Sequence, residues 1–139
     1  MIIRKANSKD ILELEILFQF IRRETFKSRP ENEFQIGDYA KSVEQDKVWV
    51  AEEDNTLVGF VSIYLADNFI HNLFVHPNYQ NLGIGSCLLQ TAEDNLSSPM
   101  TLKIALDNPK VCPFYKSHGW LEMSIHEDVP EPYILYKKD

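Results

Sequence analysis

The stretch that most restricts the fold is NLFVHPNYQNLGIGSCLLQ, residues 72–90. A β-prone apolar run meets Pro77, and a turn follows that holds Gly83 and Gly85. Beyond it Ile84, Leu88, Ala92 and Leu96 recur every four residues and give a helix one apolar face. A helix N-terminus leaves about four backbone N–H groups without internal partners, and the macrodipole adds partial positive charge. Glycine carries no Cβ to hold a ligand away, so Gly83 and Gly85 let an anion reach the main chain. The turn therefore reads as a pyrophosphate cradle. The alternative is a turn used only for tight strand–helix packing.

Two nucleotide motifs fail on these residues. No Gly-Lys-Ser or Gly-Lys-Thr follows the glycines, so the P-loop is absent. A dinucleotide fingerprint would place a third glycine near position 88, where Leu88 stands. It would also open a βαβ unit, whereas this strand closes an antiparallel meander.

That meander is read from a change of period at Lys47. KVWVAEE and TLVGFVSIYLA are separated by Asp54–Asn55, a hairpin signal. Leu57, Val61, Ile63 and Leu65 are expected on one face, and FIHNLFVHP supplies the third strand. Before the meander, MIIRKA is a short strand. Ile11, Leu14, Leu17, Phe18 and Ile21 then mark a helix with Ser8 as its expected cap and Asp10 in its first turn. A weaker helix over EFQIGDYAKSVEQ is interrupted or tilted at Gly37. After the glycine turn, MTLKIALDN is a strand and NPKVCPFYKSHGW a short helix ending at Gly119. WLEMSI and PYILYKK are the last two strands. The order β-α-α-β-β-β-α-β-α-β-β predicts an α/β fold, one mixed, largely antiparallel sheet with helices on both faces.

Length and charge bound the partners. The 139 residues suit one domain over 1–139. A net charge of −7 argues against nucleic acid and is compatible with a cationic or amine partner. No apolar run approaches the roughly 20 residues of a membrane span. The opening MIIRKANSKD lacks a signal-peptide core, so a cytoplasmic protein is expected. Cys87 and Cys112 have neither CxxC nor zinc-site spacing and read as small buried hydrophobes in a reducing compartment; a catalytic cysteine would need a base that nothing here indicates. No metal is expected.

VHPNYQNLGIGSCLL resembles motif A of the GNAT superfamily of acyl-CoA-dependent N-acyltransferases, with Gln80, Asn81, Leu82, Gly83, Ile84 and Gly85 matching its Gln/Arg-x-x-Gly-x-Gly/Ala core. NPKVCPFYKSHGW resembles the second signature through Asn108, Phe114, Tyr115, Gly119 and Trp120. The resemblance implies an N-acetyltransferase that moves an acetyl group from acetyl-CoA to a primary amine by direct attack through a tetrahedral intermediate. It places the diphosphate on the backbone amides of residues 81–86, ending at Ser86. The pantetheine arm runs alongside the strand Asn72–Val75, beside Leu73, Phe74 and Val75, in a slot where this strand splays from MTLKIALD. A backbone N–H near Phe74 would stabilise the oxyanion. The resemblance also implies that Asn108 bonds the arm, although it could cap the short helix as well, and that a homodimer is open to this chain.

Roles for side chains follow with their alternatives. Tyr115 matches the family's general acid for the departing thiolate; otherwise it is an aromatic packed beside Phe114. His71, two residues before Leu73, has a pKa range suited to a general base, or is a strand histidine bonded to a neighbour. Asp107, Glu52, Glu53 or a water chain are rivals. His76 and His118 read as a turn residue and a helix-end residue. The turn PNYQNLGIGS carries no Lys or Arg, so outside cations such as Lys110 or Lys116 are expected to help hold phosphate. Pro113 is expected as the first full position of its helix. Glu127, Asp128 and Glu131 either attract a cationic acceptor or form a solvated turn. A CoA-binding sensor or interaction module without turnover is the alternative to an enzyme; the tyrosine argues against it.

Overall fold

A computed structural model describes residues 1–139. Its strands are β1 (Ile2–Lys5), β2 (Lys47–Glu53), β3 (Thr56–Tyr64), β4 (Phe69–Val75), β5 (Met100–Ala105), β6 (Leu121–His126) and β7 (Tyr133–Lys138). Its helices are α1 (Ile11–Thr25), α2 (Asp38–Ser42), α3 (Ile84–Asp94) and α4 (Cys112–Ser117). The strands form one sheet in the order β1-β2-β3-β4-β5-β7-β6. Every pair is antiparallel except β4–β5, which α3 connects as a crossover. The expected mixed, largely antiparallel sheet is the one observed.

Each face of the sheet has its own core. Ile84, Leu88, Leu89 and Ala92 of α3 and Cys112 and Tyr115 of α4 pack with Val61, Ile63, Leu102 and Tyr136 on one face. Leu14, Leu17, Phe18 and Ile21 of α1 and Tyr39 of α2 pack with Val50, Leu57 and Phe60 on the other. No helix is long and apolar enough to cross a membrane.

Local chemistry sets where the helices begin. Asn7, rather than Ser8, is the N-cap: its side chain accepts from Lys9 N–H while Asp10 accepts from Asn7 N–H at 2.8 Å. Ser8 already lies inside the 3₁₀ turn that leads into α1. Gly37 starts α2 rather than interrupting it, because φ is +102° there and only glycine takes that angle without strain. Pro113 lies in the first turn of α4, as its missing N–H requires.

Two register shifts redirect side chains. Between Ala51 and Glu52 the β2–β3 ladder skips Val58, which sends Leu57 to the α1 face while Val61 and Ile63 face α3. Leu65 lies beyond the strand and is 41% exposed. The single apolar face expected for those four residues is thus split. Between β3 and β4 the register skips His71: Ser62 pairs with Asn72 and Ile63 with Ile70. Cys87 is exposed rather than buried; Cys112 is buried, and neither is bonded to the other.

Candidate active site

The β4–β5 ladder consists of two pairs, Phe69 with Thr101 and Ile70 with Leu102. Beyond them the strands part, so from Asn72 to Val75 β4 has a ladder partner on the β3 side alone. Leu73 and Val75 lean on the α3-side core, and Phe74 packs against Phe18 and Phe60 on the other face. What faces the gap is main chain. Backbone groups left in this way require partners, and an extended amide-bearing ligand supplies them.

The gap leads to the start of α3. Asn81 and Gly83 both adopt left-handed angles, φ +63° and +85°, and this bend aligns the chain for the helix. The first helical bond is from Cys87 N–H to Gly83 C=O, which leaves the amides of Ile84, Gly85 and Ser86 without helical acceptors. A Cβ built on Gly83 would meet nothing within 4 Å, so the space above the turn is open. Leu82 is exposed beside it. Gln80 does not aim into this space; its Nε2 donates to Val75 C=O at 3.1 Å and holds the strand exit against the turn.

Across the gap stands the loop after β5. Asn108 Oδ1 is buried and has no hydrogen-bond partner. An orphaned acceptor of this kind costs about 1–3 kcal/mol, which a ligand amide would recover. Asn108 caps nothing with its side chain. Tyr115, 8% exposed, packs its ring edge-on to Phe114 and Trp120 and tilted to Tyr136. Burial, helped by nearby Cys112, pushes its phenol pKa well up, so it holds its proton throughout the neutral range. The open turn, the parted strands and the orphaned carbonyl fit acetyl-CoA. No cluster of His, Cys, Asp and Glu is placed to hold a metal.

His71 lies on the α2 side of the gap. The bulge that skips it turns its ring toward the turn between α2 and β2, where Nδ1 lies 2.8 Å from Asp46 Oδ2. A carboxylate only accepts, so in the neutral imidazole the proton sits on Nδ1 and the Nε2 lone pair is free. Asp46 is nearly enclosed, its side chain 4% exposed against 42% for His71. Asn72 Nδ2 donates to Ser42 and to buried Ser62, both at 2.9 Å, and ties the bulge to α2. Beside this lies a polar groove of about 770 Å³ lined by Lys41, Asp46, Asp67, Phe69, His71 and Lys103 among others. A second hollow of about 430 Å³ shares Lys41 and Ser42 with it and reaches Arg22, Asn72 and Phe74.

The rival bases are otherwise engaged. Asp107 accepts two bonds of 2.8 Å from Arg29, and that guanidinium holds its carboxyl below the usual range. Arg29 also lies 3.8 Å over the Phe26 ring, so this pair straps the loop after α1 to the end of β5. Glu52 accepts from Arg4 at 2.9 Å on the far edge of the sheet, and Glu53 faces the N-terminus at 3.7 Å. His76 Nδ1 accepts from Asn78 N–H, and its ring stacks on Phe20. His118 is more connected than its sequence position indicates, since its Nε2 lies 2.9 Å from Ser86 Oγ. Asp46 and Arg29 stand in no local motif, and Asn72 and His118 stand inside the quoted stretches without their partners; each matters through a residue at least 10 positions away.

Fold and site together define a protein whose central sheet opens beside a glycine-capped helix to admit a long, phosphate-headed ligand. A profile of the acetyltransferase (GNAT) family matches residues 12–120. The chain belongs to that family. The peptidyl-lysine N-acetyltransferase YiaC of Escherichia coli is 36% identical over 72 residues, which is 52% of this chain and 48% of that protein. The match thus spans about half the length of that curated relative. A GCN5-related N-acetyltransferase from Rhodopseudomonas palustris superposes with a TM-score of 0.81 at 16% identity, over 99% of this chain and 94% of that one. The PaiA N-acetyltransferase of Thermoplasma acidophilum, solved with coenzyme A, gives 0.80 at 21%, over 99% and 98%. Likenesses at these identities establish the fold.

Proposed function

We propose that this chain is an acetyl-CoA-dependent N-acetyltransferase whose acceptor is a primary amine, a protein lysine being the first class to test. The observation that carries the proposal is the parting of β4 and β5 after Ile70–Leu102, directly beside the free first-turn amides of α3. The name of the Escherichia coli relative supports a lysine acceptor. So do Glu44, Asp46 and Asp67, which line the groove although Lys41 and Lys103 line it too.

The chain's own residues divide the work. Amides of residues 81–86 and the Ser86 side chain hold the diphosphate, and the free edge of β4 at Leu73, Phe74 and Val75 pairs with the pantetheine arm. Asn108 Oδ1 accepts from an amide of that arm. When bound, acetyl-CoA supplies the acyl group as a thioester. The backbone N–H near Phe74 polarises the acyl carbonyl. A lysine ammonium, with a pKa of about 10.4, must lose a proton before it can attack. His71 Nε2, oriented through Nδ1 by Asp46, takes that proton. Tyr115 gives its phenolic proton to the leaving sulfur, and the second proton shed by the attacking nitrogen as the amide forms restores the phenol. A cytoplasmic setting accords with the two unpaired cysteines.

The test is mass spectrometry of an amine panel incubated with the chain and acetyl-CoA. Lysine peptides, free peptide N-termini, polyamines and aminoglycosides make up the panel. Acetylated lysine peptide is the expected product. Acetylation confined to another amine would replace the acceptor, and tight CoA binding without any acyl product would replace the enzyme with a sensor.

A further inference from the structure

Residues 77–86 contain no Lys or Arg, yet the ligand that the parted strands fit arrives with negative charge. Two histidines are bonded to this turn: His76 accepts from Asn78 N–H at the strand exit, and His118 meets Ser86 at the start of α3. His118, at the C-terminal cap of α4, places Nδ1 2.7 Å from Phe114 C=O and Nε2 2.9 Å from Ser86 Oγ. A carbonyl only accepts, so Nδ1 carries a proton in either charge state of the ring. In the neutral ring Nε2 is then a lone pair, and the Ser86 hydroxyl must donate to it. Ser86 Oγ presents only lone pairs to the space above the turn. That is the wrong polarity for phosphate.

Protonation reverses the pair. An imidazolium donates from Nε2 to Ser86 Oγ, and the Ser86 hydroxyl proton is freed to point at an anion. We infer that His118 and Ser86 form a proton-linked donor for the diphosphate, so that coenzyme A binding draws a proton from solvent onto His118 Nε2. This rests on the reading that the first turn of α3 holds the diphosphate. The balance is simple: one N–H bond forms at Nε2, buffer gives up the proton, and no heavy-atom bond changes.

The C-terminal end of α4 presents partial negative charge, and Phe114 C=O accepts from the ring. The Phe114 ring lies 4.6 Å from the imidazole and 3.5 Å from where a Gly85 Cβ would stand, so α4 is packed onto the start of α3. Charged groups on the packed elements are few. Lys138 of β7 passes Gly119 but is paired with Glu93 of α3 at 2.7 Å, and Glu93 also accepts from Trp120 Nε1. Lys116 of α4 is exposed, and Tyr115 keeps its proton. Ser117 Oγ is 3.1 Å from Nδ1 and donates to Phe114 C=O.

The experiment is calorimetric titration with dephospho-coenzyme A at one pH in buffers of different ionisation enthalpy. This ligand keeps the diphosphate but lacks the phosphate monoester, whose own proton titrates near pH 6. The slope of apparent enthalpy against buffer enthalpy counts protons. Net uptake of a fraction of a proton at pH 7.5 is expected, and affinity should weaken toward pH 8.5. His118→Gln should abolish both the uptake and the pH dependence, and Ser86→Ala should reduce the uptake while leaving the melting temperature near wild type. Binding with zero uptake, or uptake unchanged in folded His118→Gln, overturns the inference. Absence of binding by folded wild type to either this ligand or coenzyme A would instead overturn the cofactor reading beneath it.

Discussion

Replacing Asp46 with Asn changes one atom and reverses the hydrogen-bond logic of His71. The carboxylate forces the imidazole proton onto Nδ1, 2.8 Å away, and leaves Nε2 as the base. An amide in its place can donate to Nδ1, which puts the proton on Nε2 and removes the lone pair. General-base catalysis contributes about 10²–10⁴ in rate, or roughly 3–5 kcal/mol of barrier. His71 is 42% exposed, so water can hold part of the population in the productive tautomer, and the lower end applies. We expect kcat to fall about 100-fold with KM for the amine little changed. Stability should drop by less than about 1 kcal/mol, since the pair is open on the histidine side. The assay is steady-state acetylation at saturating acetyl-CoA with the acceptor found in the amine panel. His71→Ala should cost at least as much, and the double variant no more than His71→Ala alone, because the two side chains act as a unit. An Asp46→Asn enzyme within twofold of wild type, with its acidic pH limb unmoved, would refute the dyad.

Three further outcomes are expected. Tyr115→Phe should lower kcat at least 100-fold and leave the acetyl-CoA dissociation constant within about twofold, measured by calorimetry; equal turnover would remove the phenol from the reaction. Arg4 holds the Asp10 carboxyl down in pKa, and Asp10 also accepts from Asn7 N–H in the turn that leads into α1. A depressed folded-state pKa gives stability that is present above about pH 4 and lost as pH falls through the folded value. Asp10→Asn should therefore cost about 1–3 kcal/mol at pH 7 in urea unfolding and flatten the loss below about pH 4. A Cβ on Gly59 would lie 2.8 Å from Phe74 C=O, so Gly59→Ala must push β4 away from β3 and should destabilise by about 1–3 kcal/mol; an unchanged melting temperature would contradict that geometry.

Features carried by neighbouring residues were legible in the sequence, and features made by register were not. The turn from Gln80 to Ser86 could be read because a helix N-terminus and its glycines announce themselves within a few positions. The element order could be read because the apolar period switches between four and two. The face of Leu57 could not, since one skipped residue in a ladder reverses a side chain and leaves no local mark, and Leu65 lies past the end of its strand. The same device hides the Asp46–His71 pair, whose members are 25 residues apart. Gly37 looked like a flaw in a helix because its φ of +102° is invisible without coordinates. Asp107 carries the residue type of a base, but its partner Arg29 stands 78 residues earlier in the chain.

Cofactor binding rests above all on main-chain amides at the start of α3 gripping a diphosphate. Titrating coenzyme A into isotopically labelled protein and following the Ile84, Gly85 and Ser86 amides by NMR tests this directly. Saturable downfield movement of those three, larger than for amides elsewhere in α3, is the expected result. A folded protein whose three amides stay still at millimolar coenzyme A would contradict it.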